Sequence, residues 1–420
     1  MFDNPADELT HSFSRLVTSK PADVMRVTTP KQAQASIGRF LKAGLAVNFR
    51  GAGHSFGDQC ISDGGGLVLN ALAAPVEALA EGRFRLSTGQ TWLAVEKALN
   101  AHGRSFPVLT NWLQVTVGGT LAYGGFGGAS FSYGSQADNV EALQLIDGEG
   151  VLRVIDPVTP LWQVATCTAG RLGFVTECTV RTLPLQPYIE IARQVLDRPE
   201  DLAERLLYEA ARLDPHEMLW GQVSASAIEL YAARRSDSAR PQGGLLPVAG
   251  QSIAWDAWLE RHSHRDFSDS QAYVWADYVV PQARFPDFLR AAHALAFDPP
   301  EAAGWRPRMR VLCVDRDRAP PSAQYLAMGR VGGDGDVYGV GVYLEPDADD
   351  AALVARARTV LRRLLDLCIG YGGRPYLASW HELTEETAQT AFGDDWRAAR
   401  EALALGSAGP RINPGSHPPL

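Results

Sequence analysis

The sequence has little of what marks disulfide-rich, metal-binding and nucleic-acid-binding proteins. Only five of the 420 residues are cysteine, and none of them is spaced as CxxC, which argues against a disulfide framework or a zinc site. We therefore expect no bound metal. The net charge is −9, and no basic stripe exists that could neutralise a phosphate backbone. A nucleic-acid partner is therefore not expected.

Long apolar runs are also missing. No stretch is long enough to span a bilayer, and the first residues, MFDNPADELTHSFSRLV, lack the basic and apolar regions of a signal peptide. No repeat of fixed period is present, which excludes solenoids and propellers. We therefore expect a globular, cytoplasmic protein without a membrane partner.

The length favours two domains, and the pattern changes near residue 187. Before it, short β-branched runs such as RFRLSTG and ALQLIDGEG predict strands, and KQAQASIGRFLKAGL and TWLAVEKALNAHG predict helices. After it, longer alternating runs such as EMLWGQVSASAIELYAAR and VYGVGVYLEP predict single strands of an antiparallel sheet backed by amphipathic helices. The tail returns to turn chemistry and is expected to pack on the first domain.

Two glycine-rich stretches in the first half are candidate ligand-binding turns. They read RGAGHSFGDQC (50–60) and TVGGTLAYGGFGGASFSYG (116–134). Glycine lets a backbone approach a flat or phosphorylated ligand, and successive amide N–H groups can bind a pyrophosphate. Neither a Rossmann GxGxxG nor a GxxxxGK[ST] motif is present. Tight turns of a β-rich domain are the alternative explanation for either stretch alone.

Several motifs occur in an order that is typical of one family of flavoenzymes. They are RGAGHS…DQ, TVGGTLAYGG, ADNVEALQLIDGEG, GRLGFVT, WADYVVPQARFPDF and RPYLASW…FGDDW…INPG. In this order they resemble the FAD-binding oxidoreductases of the vanillyl-alcohol-oxidase (PCMH) type, and cytokinin dehydrogenases in particular.

The resemblance implies an α+β, two-domain PCMH-type FAD-binding fold with an antiparallel-sheet substrate domain, or cap. An FAD-binding domain would comprise residues 1–186, the cap residues 187–390, and a C-terminal return to the first domain residues 391–420.

The resemblance also implies an FAD cofactor that is joined covalently, through His54, to a methyl carbon of the flavin. Such a link raises the redox potential of the flavin and fixes its ring. A turn histidine without this link is the alternative. No cysteine occurs in TNWLQVTVGG, where some members carry a second link, so one link is expected. The residues that the resemblance places around FAD are Arg50, Gly51, Ala52, Gly53, His54, Ser55, Gln59, Thr116, Gly118, Gly119, Ala122, Gly125, Phe126, Val175, Tyr376 and Asn413.

Two positions depart from the cytokinin dehydrogenase pattern. Asn111 stands where those enzymes have an aspartate that handles the substrate amine, and an amide cannot accept a proton at neutral pH. Asp277 stands where they have an asparagine, on one strand face with Trp275. We therefore predict that Asp277 is a general base or accepts a hydrogen bond from a substrate OH or NH; pairing with an arginine is the alternative. The catalytic candidates are Asp277, Asn111 and Tyr376, and the substrate-binding candidates are Asn111, Trp275, Asp277 and Leu377.

Together these features predict an FAD-dependent oxidoreductase of bacterial specialised metabolism. It would take hydride from a C–H next to a hydroxyl or amine of a flat, largely apolar small molecule, and oxygen or another acceptor would reoxidise the flavin. Cytokinin-like amine oxidation, a flavin-dependent cyclase with no net redox change, and FAD kept only as a scaffold are the alternatives. Trp112 and Trp380 are predicted to be core residues.

Overall fold

The computed structural model describes residues 9–212, 216–264, 267–319 and 322–406. The strands are β1 Asp23–Val27, β2 Val47–Arg50, β3 Gly66–Asn70, β4 Glu77–Ala78, β5 Arg83–Ser87, β6 Arg104–Ser105, β7 Val140–Asp147, β8 Leu152–Ile155, β9 Gly173–Arg181, β10 Leu183–Pro184, β11 Tyr188–Leu196, β12 Met218–Ser224, β13 Ile228–Ser236, β14 Gln251–Ala254, β15 Val274–Pro281, β16 Arg308–Val314, β17 Val337–Leu344 and β18 Arg374–Pro375. The α-helices are α1 Pro30–Lys42, α2 Trp92–Ala101, α3 Val117–Leu121, α4 Ser130–Tyr133, α5 Pro199–Ala210, α6 Trp255–Arg261, α7 Phe285–Phe297, α8 Ala302–Trp305, α9 Ala351–Gly370, α10 Glu385–Phe392 and α11 Asp394–Gly406.

A small parallel sheet, in the order β1-β3-β2, opens the fold and is covered by α1. The helix begins after Thr29, whose side chain accepts a hydrogen bond from the Gln32 amide, and its apolar residues Ile37 and Phe40 are buried in the core with Val68. The predicted helix is confirmed. Strand β2 ends at Arg50, so the first glycine-rich turn follows directly from the carboxyl end of a strand.

A five-stranded antiparallel sheet follows, in the order β4-β5-β9-β7-β8. The predicted helix α2 precedes its central strands, begins after Thr91 and ends at His102, where Gly103 takes a positive φ of 68°. The central strand β9 pairs with both β5 and β7. It thereby fixes the position of Val175, one of the predicted FAD residues.

The second half is dominated by one eight-stranded antiparallel sheet, in the order β14-β11-β13-β12-β16-β17-β15-β18, as the alternating pattern predicts. The run EMLWGQVSASAIELYAAR, however, is not one strand but the hairpin of β12 and β13, so that prediction was wrong. The Ser224 hydroxyl accepts hydrogen bonds from the amides of Ser226 and Ala227 and turns the chain.

The helix α11 packs against the turn Trp162–Val164 of the first half. Its residue Asp395 accepts hydrogen bonds from Arg330 and Arg374. Strands β1 to β10 form the sheets of the first half, and strands β11 to β18 form the eight-stranded sheet. The domain limits 1–186, 187–390 and 391–420 stay predictions.

The structure also bears on the expectations about membrane spans and cysteines. No helix in the described ranges is long and apolar enough to cross a membrane. All five cysteines are free and buried, as expected for a chain without a disulfide framework.

Candidate functional site

A cavity of about 580 Å³ lies between the two glycine-rich stretches and one face of the eight-stranded sheet. We call it the main cavity. Its size is that of a typical ligand site. Most of the predicted FAD residues line it: Arg50, Gly51, Ala52, Gly53, His54, Ser55, Gln59, Thr116, Gly118, Gly119, Ala122, Phe126, Val175 and Tyr376. Three predicted substrate residues, Asn111, Trp275 and Asp277, line it as well.

Three predicted residues are not brought to this cavity. Gly125 lies behind the wall, because a side chain there would collide with Gln136 and its φ is 71°. Leu377 is only 3% exposed, and it is the backbone carbonyl that is used, by the Gln59 amide at 3.1 Å. Asn413 lies outside the described residues. Gly125 and Leu377 therefore shape the site from behind and do not contact its contents.

The first glycine-rich turn presents bare backbone to the main cavity. Gly53 has a φ of 72°, and a side chain there would collide with the guanidinium of Arg50, which packs beneath the turn and donates to the Cys60 carbonyl at 3.3 Å. Within the described part of the chain, the amides of Ala52, Gly53 and Ser55 donate to no protein acceptor. Such a group of free N–H donors suits an anion.

The second glycine-rich stretch works differently from the first. Its amides at 117–119 donate to the carbonyls of Gln90 and Thr88 and to the side chain of Thr116. These three amides are therefore not free, unlike those of the first turn. The second stretch also packs against the first turn. A side chain at Gly51 would collide with the hydroxyl of Thr116, so glycine is needed for this close packing.

Gln59 is committed within the protein. Its carbonyl oxygen accepts from the Gly57 amide at 2.8 Å, and its NH₂ group donates to the carbonyls of Leu377 and Ser379 at 3.1 and 3.4 Å. Both side-chain donors are thus used. The side chain joins the first turn to the segment after β18, so the predicted contact with a pyrophosphate has to be corrected to a supporting role.

Aromatic rings surround His54. The imidazole centroid lies 3.9 Å from the ring of Phe13, 3.7 Å from Trp112 and 5.2 Å from Phe267. Trp112 also lines the main cavity, so its prediction as a core residue was wrong. Trp380, in contrast, lies against Arg358 and is not part of the lining.

Asp277 faces the main cavity from β15. One carboxylate oxygen accepts from the Tyr343 hydroxyl at 2.8 Å, and the other accepts from the Ser379 hydroxyl at 3.1 Å. Burial raises the pKa of Asp277, and these two hydrogen bonds and the charge of Arg310 oppose that rise. Two neutral hydroxyls, rather than a paired arginine, therefore orient this carboxylate.

Tyr376 connects the two sides of the cavity. Its amide donates to the Asp277 carbonyl at 2.8 Å, and the backbone of Gly125 hydrogen-bonds its phenol. Burial raises the pKa of the phenol far above its ordinary value, so Tyr376 stays neutral and can donate a hydrogen bond.

Sequence reasoning missed the polar residues that the sheet register brings beside Asp277. The five residues form one row across the sheet. Asp277 of β15 is opposite Gly341 of β17, which is opposite Arg310 of β16. Arg310 is in turn opposite Gln222 of β12, and Gln222 is opposite Glu229 of β13. Directly opposed residues point to the same face, and all five line the main cavity. The alternation in RMRVLCV and VYGVGVYL was visible, but the pairing of the strands was not.

Comparison with known proteins agrees with this geometry. A family profile described as an FAD binding domain matches residues 21–156. The predicted resemblance to PCMH-type FAD-binding oxidoreductases is thus confirmed for this part of the chain. The matched region contains the first glycine-rich turn and the start of the second stretch, which line one side of the main cavity.

Relatives of the FAD-binding domain are oxidoreductases by name. An uncharacterised oxidoreductase of the fasciation locus in Rhodococcoides fascians is 32% identical over 171 residues, which are 40% of this chain and 39% of that protein. Cytokinin dehydrogenase 7 of Oryza sativa subsp. japonica is 30% identical over 197 residues, 43% of this chain and 36% of that enzyme. The chain thus spans less than two fifths of the length of either relative.

A solved structure matches nearly the whole fold. Xylooligosaccharide oxidase from Myceliophthora thermophila C1, determined with xylobiose, has a TM-score of 0.76 and covers 96% of this chain and 93% of that one, at 15% sequence identity. This likeness shows the architecture, and the predicted α+β PCMH-type fold with an antiparallel-sheet cap is confirmed.

Proposed function

We propose that the protein is an FAD-dependent oxidoreductase that takes hydride from a C–H next to a hydroxyl or amine. The free amides of Ala52, Gly53 and Ser55 would hold the pyrophosphate of FAD, and Gly51 lets the turn pack closely on Thr116. When bound, FAD supplies the two-electron acceptor. The relatives' names support redox chemistry.

The observation that carries this proposal is the position of Asp277. The carboxylate faces the main cavity beside Trp275, and its two hydroxyl donors hold its oxygens in place. Its raised pKa makes it a stronger base than an exposed aspartate. Asp277 would take the proton of a substrate O–H or N–H as the neighbouring C–H bond breaks, and Asn111 would orient the substrate by hydrogen bonding.

We also propose that His54 carries the covalent link to the flavin. The imidazole lies in the cavity wall between Phe13 and Trp112, so it can be reached from the cavity and its ring is held by its neighbours. Protein that has been precipitated with acid should stay yellow, and a His54→Ala variant should release its colour. Loss of colour from the unchanged protein would contradict the link.

The expected substrate needs one revision. The rings of Phe56, Trp112 and Trp275 support a flat apolar part, but Gln222 and Arg310 add a polar wall. The substrate should therefore carry polar groups as well. Oxygen or another electron acceptor, a cytoplasmic location and a place in bacterial specialised metabolism stay predictions.

Replacement of Asp277 tests the proposed role. Asp277→Asn keeps the shape of the side chain and removes the base, so anaerobic bleaching of the flavin by substrate should slow at least ~100-fold. Stopped-flow absorbance measures this rate, with a panel of alcohols and amines as substrates. An unchanged rate in a variant that retains FAD would remove Asp277 from the reaction.

Cytokinin-like amine oxidation is the second candidate, because several relatives are named cytokinin dehydrogenases. Bleaching by a cytokinin, and not by alcohols, would favour it. A product with the mass of its substrate would instead indicate the cyclase, and a protein that binds FAD but turns over nothing would indicate a scaffold.

A further inference from the structure

A short hairpin precedes the first strand and lies outside the matched FAD-binding domain. We call residues 10–19 the N-terminal hairpin. The Ser12 amide donates to the Val17 carbonyl at 2.9 Å, and the Ser19 amide donates to the Thr10 carbonyl at 2.7 Å. The family profile begins only at residue 21. The hairpin is therefore separate from the glycine-rich stretches described above.

Two buried serines hold the tip of this hairpin. Ser12 and Ser14 are both 0% exposed, and their hydroxyls are hydrogen-bonded to each other at 2.9 Å. The Ser12 hydroxyl accepts from the Val17 amide at 3.2 Å, and the Ser14 hydroxyl accepts from the Leu16 amide at 3.2 Å. Phe13 lies between these serines, so its backbone is part of a turn that side-chain hydrogen bonds keep in one conformation.

The hairpin is attached to both halves of the fold. At its base, the Gly64 amide donates to the Lys20 carbonyl at 2.9 Å. At its tip, the amide of Tyr273, just before β15, donates to the Ser14 carbonyl at 3.0 Å. The hairpin therefore keeps a fixed place beside the first sheet and beside the cap sheet.

The ring of Phe13 lies between an imidazole of the first half and a tyrosine of the cap. Its centroid is 3.9 Å from that of His54, with 30° between the planes, and 5.0 Å from that of Tyr273, with 20° between the planes. Phe56 and Phe267 meet it edge-on at 5.6 and 4.8 Å. Such stacked and edge-on pairs are favourable beyond the area that they bury, so they give the imidazole a preferred plane.

Phe13 acts on His54 and not on the contents of the site. It is not among the residues that line the main cavity, whereas His54 is. The last side-chain torsion of a histidine has a broad range, and a ring that turns freely spends little time in any one orientation. Holding a reacting group in one orientation is a large source of rate.

We propose that the N-terminal hairpin positions His54 for the covalent link to the flavin, with Phe13 as the positioning residue. The stack on Phe13 holds the imidazole in the plane in which one of its nitrogens can bond to the methyl carbon of the flavin. This inference rests on the covalent link of the proposed function. It adds a part of the chain that the family profile does not contain.

The chemistry of the link shows what the hairpin has to hold. A bond forms between an imidazole nitrogen and the methyl carbon, and one C–H bond of that methyl group breaks. The imidazole N–H and the methyl group each release a proton, and the electron pair of the broken C–H bond reduces the flavin ring. Oxygen, or the other electron acceptor of the proposed function, then takes these two electrons. Phe13 contributes the orientation of the imidazole alone.

The rate of covalent FAD incorporation tests this role without relying on substrate turnover. Full-length protein from riboflavin-starved cells is mixed with a series of FAD concentrations in air-saturated buffer, and denatured samples are assayed for flavin fluorescence that migrates with the chain. Phe13→Ala should lower the maximal rate about three- to tenfold, the effect of one lost ring stack. The FAD concentration that gives half of the maximal rate should not change, because Phe13 does not line the cavity.

Two further substitutions at the same position show which property of the side chain is needed. Phe13→Leu keeps an apolar side chain at the tip of the hairpin but has no flat ring, so it should be slowed as well. It replaces the alanine variant if that variant does not fold. Phe13→Tyr keeps the ring and should form the link at the rate of the unchanged protein.

A matched phenylalanine elsewhere provides the control. Phe297 is half-buried like Phe13 and stacks on His293 at 4.7 Å, with 4° between the planes, but it ends α7 and does not line the main cavity. Phe297→Ala should therefore form the link at the unchanged rate. An equal loss in this variant would mean that lower stability, and not the orientation of His54, slows the link, which overturns the proposal.

Unchanged maximal rates in Phe13→Ala and Phe13→Leu would overturn it as well, as would a loss that appears only as a higher FAD requirement. Those results would leave the link through His54 in place. If the unchanged protein forms no link, the proposed link fails and this inference fails with it, while the role of Asp277 keeps its own test.

Discussion

At the scale of single residues, the hydrogen bond from Tyr343 to Asp277 sets the acidity of the candidate base. Burial raises the pKa of Asp277, and donors to the ionised form lower it. Tyr343→Phe removes one such donor, so the pKa of Asp277 should rise further. Because a base must be ionised, the acid limb of the pH profile for flavin reduction should move to higher pH. Anaerobic stopped-flow rates between pH 4 and pH 9, a range of about five units, measure it.

A matched tyrosine provides the control for this prediction. Tyr231 donates to Glu229 at 3.0 Å on the same face of the sheet, so Tyr231→Phe removes a hydroxyl without touching Asp277 and should leave the acid limb in place. A limb that shifts to lower pH in Tyr343→Phe would show that this hydroxyl does not stabilise the carboxylate.

The partners of Asp277 could not be predicted from the sequence, although its face could. Alternation along AYVWADYVV places Trp275 and Asp277 together, and both line the main cavity. Tyr343 and Ser379, however, are 66 and 102 positions away along the chain. Contacts of this separation depend on how strands pair, which the pattern of one strand does not contain.

At the scale of elements, a glycine in β17 makes room for this hydrogen bond. A side chain at Gly341 would collide with the Tyr343 hydroxyl and with the Asp277 carboxylate. Gly341→Ala should therefore separate the two groups, move the acid limb in the same direction as Tyr343→Phe, and cost about 1–3 kcal/mol of stability through overpacking. The pH profile and urea unfolding measure the two effects.

The same strand offers the comparison. At Gly339 an added methyl group would lie 3.8 Å from Leu312 and Val279, an ordinary contact, so Gly339→Ala should leave the acid limb unchanged. If both alanine variants behaved alike, the space at Gly341 would not matter for Asp277.

Local signals predicted most elements of the first half correctly. In the second half they predicted one element wrongly. The predicted helix TWLAVEKALNAHG ends where Gly103 takes a positive φ of 68°. The hairpin of β12 and β13 was missed because its turn is made by Ser224 with no glycine or proline. The two glycine-rich stretches look alike in sequence, yet the amides of residues 117–119 donate to Gln90, Thr88 and Thr116, whereas those of Ala52, Gly53 and Ser55 donate to no acceptor in the described part of the chain.

At the scale of the whole molecule, buried polar contacts join the cap sheet to the first half. Glu96 of α2 accepts from the Trp255 indole at 3.1 Å and from the Phe106 amide at 2.9 Å. Arg235 of β13 donates to the carbonyls of Phe106 and Pro107 at 3.0 and 2.8 Å. The main cavity lies between the parts that these contacts hold together, so the junction fixes the distance across the site.

Arg235→Met tests the junction. The arginine side chain is 4% exposed and its partner Glu217 is 14% exposed, so the substitution removes the cation from a nearly buried carboxylate and leaves the carbonyls of Phe106 and Pro107 without this donor. Breaking a buried pair in this way costs about 3–5 kcal/mol, which urea unfolding followed by circular dichroism measures. Arg39→Met removes an arginine of similar shape from an ion pair with Asp23 in which both side chains are about half exposed, and it should cost no more than about 1 kcal/mol. Because the junction spans the site, Arg235→Met should also weaken the retention of FAD, whereas Arg39→Met should not. Equal losses of stability and of FAD in the two variants would mean that apolar packing holds the halves together and that these hydrogen bonds add little.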